Sequence, residues 1–530
     1  MTITIQNRQS STAEDTAISS QKHPQDTKQN IKTQDSFSKT IYLAVKIIII
    51  TVISAALGIL GVRAVMKLCV YWDTVMYHLP FAALRGNLNI PYTMPQRLQD
   101  LYNGFPPLPH LIQGLLWRIT GSVNATNVIN YIAFISFLAF CHIKLKAKFW
   151  ITGLIALTAP MILIHTTVNY VDLFSNSLLA IGICACIYMV LFNKTKDTRL
   201  LIWAAAGFTL TAWSKFQLVP VSFLFLFLLL SYVMVSVIRP QKLQKPISRL
   251  KKLILNRHIH ILILAILITA IPYLKNITKY KNPFWPVKLP VLSSLFPYTF
   301  DTDSNSDAQK PRALKHLPQP LLFLHSLFEI NHPTRYEHRE RWTIDQGVAV
   351  IAFRMGGYWY MAVIINLISI LVFALVFDPK KGAGLIAFHL LLLAFTSCLP
   401  QSHELRYYMF LPLSWAATIG MLFPCFKQTY FKTSIAVLVL YLVLFGWMVK
   451  ENTAHYKIQK ETWQTAAKKW NAAPWWPYLK PNYTYCIVGM EPIGILLTGP
   501  THSEFKIIEK KDISACPAES IIIKDHAFVK

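Results

Sequence analysis

The sequence predicts a polytopic α-helical membrane protein. Hydrophobic residues make up 54% of the 530-residue chain and only 15% are charged, a balance foreign to soluble domains. The apolar residues also gather into about eleven runs near the length that crosses a bilayer. Between those runs the connections alternate in charge, as loops on two sides of a membrane do.

The elements follow in order. Residues 1–40 are rich in Ser, Thr, Gln and Lys with almost nothing to bury, so they are expected as a disordered tail and not as a targeting segment. The first span is Ile41 to Val62, followed by Val123 to Ile143, Phe149 to His165, Leu173 to Phe192, Leu200 to Trp213 and Leu218 to Ile238. The rest are Ile259 to Leu274, Tyr358 to Phe377, Leu385 to Leu399, Tyr407 to Phe426 and Ser434 to Val449. Every second loop is basic: "KLKAK", "NKTKDTR", "RPQKLQKPISRLKKLILNR", "DPKKG" and "KQTYFK". The positive-inside rule puts those loops and the N-terminus in the cytoplasm, and an odd span count puts the C-terminus outside.

Two outer loops are long. The first, Arg63 to Ser122, contains "PPLPHLIQGLLWRIT", apolar but too short to cross, which suits an interfacial or re-entrant helix. The second runs from Lys275 to Gly357 and is basic, as a loop this long is free to be. The domains expected are therefore a tail (1–40), a transmembrane module (41–450) and a small extracytoplasmic α/β appendage (451–530) with short strands such as "TYCIV" and "SIIIKD".

Charge and cysteine exclude some functions. The net charge of +27 follows membrane topology in large part, so nucleic acid is not the expected partner. The eight cysteines form no zinc-ligand spacing, and no metal site is assigned, although two carboxylates facing each other would leave room for a divalent cation. Cys486 and Cys516 form a disulfide if their segment faces an oxidising compartment, and stay two thiols otherwise. A P-loop and a dinucleotide fingerprint are both missing from the sequence.

In this topology Asp73, Asp172, Lys215, Asn276, the "NPFWP" segment with Asn282, and Arg406 all fall at outer ends of spans or in outer loops. Ionisable groups at a membrane boundary are candidates for function. Asp73, in "YWDTVMYHLP" with Tyr77 and His78, can act as general base toward a hydroxyl, or can simply cap the following helix. Asp172 can tune Asp73, orient an acceptor, or cap its own span. Lys215 in a short turn suits a lipid phosphate or snorkels to the interface. Arg406 can grip phosphate oxygens in a bidentate way. Glu404 can pair with that arginine, and His403 precedes both. Together they describe group transfer from a lipid phosphate, in which the cations receive the charge of the leaving phosphate.

Five segments in order then resemble one family, the integral-membrane GT-C glycosyltransferases near the aminoarabinose transferase and protein mannosyltransferase group. "WDTVMYHLP" resembles its first acidic loop motif, "NYVDLFSNSLLA" its second acidic motif and "WSKFQL" its lysine turn. "KNITKYKNPFWP" is similar to its Asn-Pro loop, and "ELRYYMFLP" to the opening of a late span. The resemblance implies a polyprenyl-phosphate sugar donor and a lipid, glycan or protein acceptor outside the cytoplasm, with bacterial inner membrane as the setting. It implies Asp73 as base, Asp172 as a second acidic residue, and Lys215 and Arg406 on the donor phosphate. Two positions depart: Thr74 stands where many members carry a second acidic residue, and Lys281 where many carry Gly. A transporter or flippase of a lipid-linked saccharide is the alternative, although the duplicated halves common in transporters are not visible.

Overall fold

The computed structural model describes residues 24–69, 71–90, 92–194, 197–238, 253–286, 295–296, 314–330, 342–344, 355–458, 462–469, 480, 482–488, 495–496, 506–510, 513–524 and 527–529. Residues 1–23 of the expected tail and most of the second outer loop lie outside this set. The chain divides into two units, Met1–Ile48 and Ile49–Lys530. In the first, helix α1 (Pro24–Met66) already begins at Pro24, so 24–40 are helical where a coil was expected. Once an apolar run nucleates a helix, propagation into polar residues costs little, and Pro suits a first turn.

The second unit is a helical bundle. After α1 come α2 (Leu79–Arg85), α3 (Gln96–Gly104), α4 (Leu108–Thr120), α5 (Val128–Ile143), α6 (Phe149–Ala156) and α7 (Pro160–His165). Then follow α8 (Asp172–Leu191), α9 (Thr198–Ala212), α10 (Val219–Ile238), α11 (Arg257–Tyr280) and α12 (Gln319–Leu327). The last are α13 (Tyr360–Phe377), α14 (Pro379–Ser397), α15 (Phe410–Thr429), α16 (Phe431–Glu451) and α17 (Trp463–Lys469). Among the described residues, 8 helices are long and apolar enough to cross a membrane, which makes this an integral membrane protein.

Three of the eleven expected spans fall short of that measure. Phe149 to His165 is broken into α6 and α7, because Pro160 cannot continue a helix and Ala159 before it is extended. Helix α9 has 15 residues, roughly 22 Å at 1.5 Å per residue. Helix α14 opens with Lys380, Lys381 and Gly382, which shortens its apolar stretch.

Helices α9, α11 and α14 are each N-capped by a side chain, Asp197, Asn256 and Asp378, whose oxygen accepts from two backbone N–H groups. In the first loop, α4 buries Pro109, His110, Gln113 and Gly114 while Leu111, Leu115 and Ile119 are exposed. Spacing of three and four residues produces these two faces. Gly121, at φ 66°, ends the helix in the left-handed conformation. Gly114 and Gly86 let α4 and α2 touch backbone to backbone, since a Cβ on either would enter the other.

The C-terminal segment carries strands and takes one more from the first loop. Its strands β2 (Thr484–Val488), β3 (Lys506–Lys510), β4 (Ile521–Lys524) and β5 (Ala527–Val529) are joined by β1 (Tyr92–Thr93) from the first loop. The order is β1-β3-β2-β4-β5, with β1, β3, β2 and β4 parallel, β5 antiparallel, and Tyr92 opposite Ile507. Leu68, Val75 and Leu79 of the first loop share one core with Trp463, Ala466, Tyr485, Ile487, Leu496, Ile507 and Ile523. Burial of such side chains is the main stabilising term. Cys486 and Cys516 form a disulfide. At the end of α1, the Arg63 guanidinium donates to the carbonyls of Ala454 and Lys457, fastening the first long helix to the residues after the last.

Candidate functional site

Asp73 begins a single π-helical turn, Thr74–His78, that runs into α2. A π turn is wider than an α turn, and such turns concentrate at functional sites. Asp73 makes no side-chain capping bond to that turn, unlike Asp197, Asn256 and Asp378 in their helices. Its Oδ2 instead lies 3.6 Å from Nη1 of Arg406, with 23% of the Asp73 side chain exposed. The capping alternative is therefore not what the residue does here.

Arg406 sits in the 3-10 turn Leu405–Tyr408 before α15. Its Nε is 3.5 Å from Glu404 Oε2, and Nη2 donates to Tyr407 Oη at 2.8 Å. The guanidinium lies 4.8 Å from the Tyr407 ring centre and 5.6 Å from that of Tyr170, within the range of cation–π attraction. Lys215 Nζ is ion-paired with Asp172 Oδ1 and stands 4.2 Å above the same Tyr407 ring. Tyr407 thus touches both cations. Burial pushes the Lys215 ammonium down, opposed chiefly by Asp172.

Neighbouring side chains fix these positions. Asn176 Nδ2 donates to the Asp172 carbonyl at 2.8 Å, and its Oδ1 accepts from Phe410 N at 2.9 Å, so the starts of α8 and α15 are held together. Ser326 Oγ donates to the His403 carbonyl at 2.5 Å and Tyr358 Oη to that of Leu405 at 2.8 Å. His403 Nδ1 lies 3.0 Å from Gln319 Nε2, which gives His403 a place in the support of the turn. Glu329 Oε1 accepts from the Trp342 indole and from the backbone N–H of Gly357 and Trp359, closing the chain that precedes α13.

Tyr77 faces the charges: burial raises its phenol well above the usual range, and Asp73 raises it further. His78 points into the first loop, with Nδ1 2.9 Å from Nε2 of His110. Burial lowers both imidazoles, His110 to about 3. Asn276 lies near the end of α11 and Asn282 just after it. Asn276 Nδ2 donates to the carbonyls of Gly104 and Trp285 at 3.0 Å, and Asn282 Oδ1 accepts from Phe284 N at 2.9 Å. They shape the "NPFWP" turn and tie it to α3.

Sequence reasoning passed over Tyr170, His110, Gln113 and Asn169. The last three are buried polar residues, and His110 and Gln113, three apart, share the inward face of α4. That spacing was the available signal. Among the described residues, no group of three or more His, Cys, Asp or Glu is placed to hold a metal ion. What the cluster offers is a carboxylate beside an anion-gripping arginine, with a second ion pair against the same aromatic ring.

No protein-family profile matches the sequence, and no curated protein matches it. Among solved structures, ArnT from Cupriavidus metallidurans bound to undecaprenyl phosphate is 14% identical over 88% of this chain and 86% of that one, with a TM-score of 0.48. Its apo state is 14% identical over 89% and 87%, with a TM-score of 0.37. Neither likeness identifies a family for the chain.

Proposed function

We propose that this protein is a membrane glycosyltransferase that moves a sugar from a polyprenyl-phosphate donor to a hydroxyl or phosphate acceptor on the extracytoplasmic side. The observation that carries the reading is the Asp73–Arg406 pair, 3.6 Å apart at the ends of helices apolar enough to hold a lipid tail in the bilayer. Asp73 removes the acceptor proton as the acceptor oxygen bonds to the anomeric carbon. The bond from that carbon to the donor phosphate breaks, and the phosphate leaves with the electron pair. Arg406 and Lys215 receive the charge, with Tyr407 spacing them and Tyr77 bordering the acceptor side. Asp172 keeps Lys215 charged and in place, and Glu404 orients Arg406.

The side rests on the basic connections, which put the N-terminus in the cytoplasm and this cluster opposite. The five motif resemblances, in order along the chain, support the same chemistry. Within this reading, residues 41–450 form the transferase module and 451–530 complete its outer face.

The test is transfer of radiolabel from a polyprenyl-phosphate sugar pool in membranes, comparing wild type with Asp73→Asn at equal protein level. Label reaching an acceptor only in wild type supports the reading. Unchanged transfer by the variant removes Asp73 as base. Label that crosses the bilayer without changing its carrier makes the protein a flippase.

A further inference from the structure

Thr74 follows Asp73 but is turned away from the charges. It is fully buried, and its Oγ1 donates to Asn169 Oδ1 at 2.6 Å. Cys69 Sγ lies 3.0 Å from the same hydroxyl. Asn169 is three residues before Asp172 and also fully buried. Its backbone carbonyl accepts from Gln113 Nε2 at 2.6 Å, and that amide reaches the Thr126 carbonyl at 3.3 Å. Three segments therefore meet at one buried polar point: the π turn after α1, the inward face of α4, and the loop entering α8.

The neighbours of this point are the two acidic candidates. Asp73 is bonded in sequence to Thr74, and the loop of Asn169 leads directly into Asp172, whose ion pair with Lys215 borders the Tyr407 ring beside Arg406. A buried hydrogen bond is costly to leave unmade, so the two segments cannot slide past each other without losing it. We infer that Thr74 and Asn169 are positioning residues, whose hydrogen bond sets the placement of Asp73 relative to Arg406 and the Asp172–Lys215 pair. Thr74 acts through Asp73 and touches no substrate. The inference rests on the transferase reading for its kinetic consequence, and on geometry alone for the placement of the carboxylate.

Thr74→Val keeps the shape and removes the hydroxyl, while Thr74→Ser keeps the hydroxyl. Both are made in the full chain, purified and placed in lipid vesicles. One readout is kcat and KM for a polyprenyl-phosphate sugar. The other, independent of activity, is the rate at which a water-soluble carbodiimide modifies Asp73, mapped by mass spectrometry. Thr74→Val is expected to lower kcat by about 100-fold, the cost of a displaced catalytic group, with KM within about twofold. Labelling of Asp73 rises in the same variant, and Thr74→Ser restores both values. If Thr74→Val does not accumulate, Thr74→Ala against Thr74→Ser isolates the hydroxyl. Unchanged labelling in Thr74→Val, or a Thr74→Ser protein as impaired as Thr74→Val, overturns the inference. If wild type transfers no sugar, the transferase reading fails while the labelling still decides the placement.

Discussion

Asp73 and Arg406 come from opposite ends of the membrane region, yet their carboxylate and guanidinium stand 3.6 Å apart. The carboxylate is partly open to water and makes no capping bond to its own turn. Arg406 is buried but keeps Glu404 as a second counter-charge, so loss of the Asp73 charge does not strand it. Asp73→Asn is therefore expected to cut sugar transfer by about 10²- to 10⁴-fold while the thermal midpoint moves by no more than about 2 °C. Both are read on the same purified sample, and a large drop in midpoint would make the role of Asp73 structural.

The Asp172–Lys215 pair behaves differently because both side chains are below one-tenth exposed. Lys215→Met leaves a buried carboxylate without its cation, at a cost of about 3–5 kcal/mol. Joining it with Asp172→Asn removes the stranded charge and is expected to recover most of that loss. Denaturant titration of the two single variants and the double variant in detergent checks this. A double variant no more stable than Lys215→Met would show that the two are not coupled.

His78 and His110 are kept neutral by burial, with His110 lowering His78 and Arg85 lowering His110. Their folded pKa values lie below the ordinary value of 6.5, His110 at about 3. Below that ordinary value the unfolded chain binds protons that the folded protein does not. Stability from this pair is thus fully present above 6.5 and is lost as the pH falls toward about 3. His110→Gln is expected to flatten the fall of thermal midpoint between about pH 6.5 and pH 4. An unchanged slope would place the acid sensitivity elsewhere.

Gly114 has no room for a side chain, because a Cβ there would run into the Ala82 carbonyl and the backbone of Gly86. Gly114→Ala is expected to cost about 1–3 kcal/mol, and to weaken activity because α4 also carries His110 and Gln113. Gly384, inside α14, has open space where a side chain would stand, so Gly384→Ala should stabilise by about 0.5–1 kcal/mol. Unfolding midpoints of the two variants provide the check.

The long apolar runs were legible because a bilayer demands length and leaves few polar interruptions. Asp73, Asp172, Lys215, Glu404 and Arg406 were legible for the same reason: ionisable residues stand out at span ends. Which of them pair was not. Lys215 reads from sequence as a cation suited to a lipid phosphate or snorkelling to the interface, and the structure joins it to Asp172. Asn276 and Asn282 hold the backbone of the "NPFWP" turn, a pairing that the local sequence pattern does not reveal. The break at Pro160 was lost inside an apolar stretch. A two-residue strand such as Tyr92–Thr93 carries no periodicity at all.

That short strand bears on how the protein is made. Tyr92 and Thr93 emerge before the helices from α3 on, but their partners Ile507 and Ile508 only after α16. The loop carrying Asp73 therefore waits, half-supported, through the insertion of nearly every later helix, since contacts between distant parts of a chain form last. A ribosome-bound or prematurely stopped chain has its lipid-facing body but not the sheet that braces this loop. Maturation of the protein is in this sense timed by the strand that carries Ile507 and Ile508.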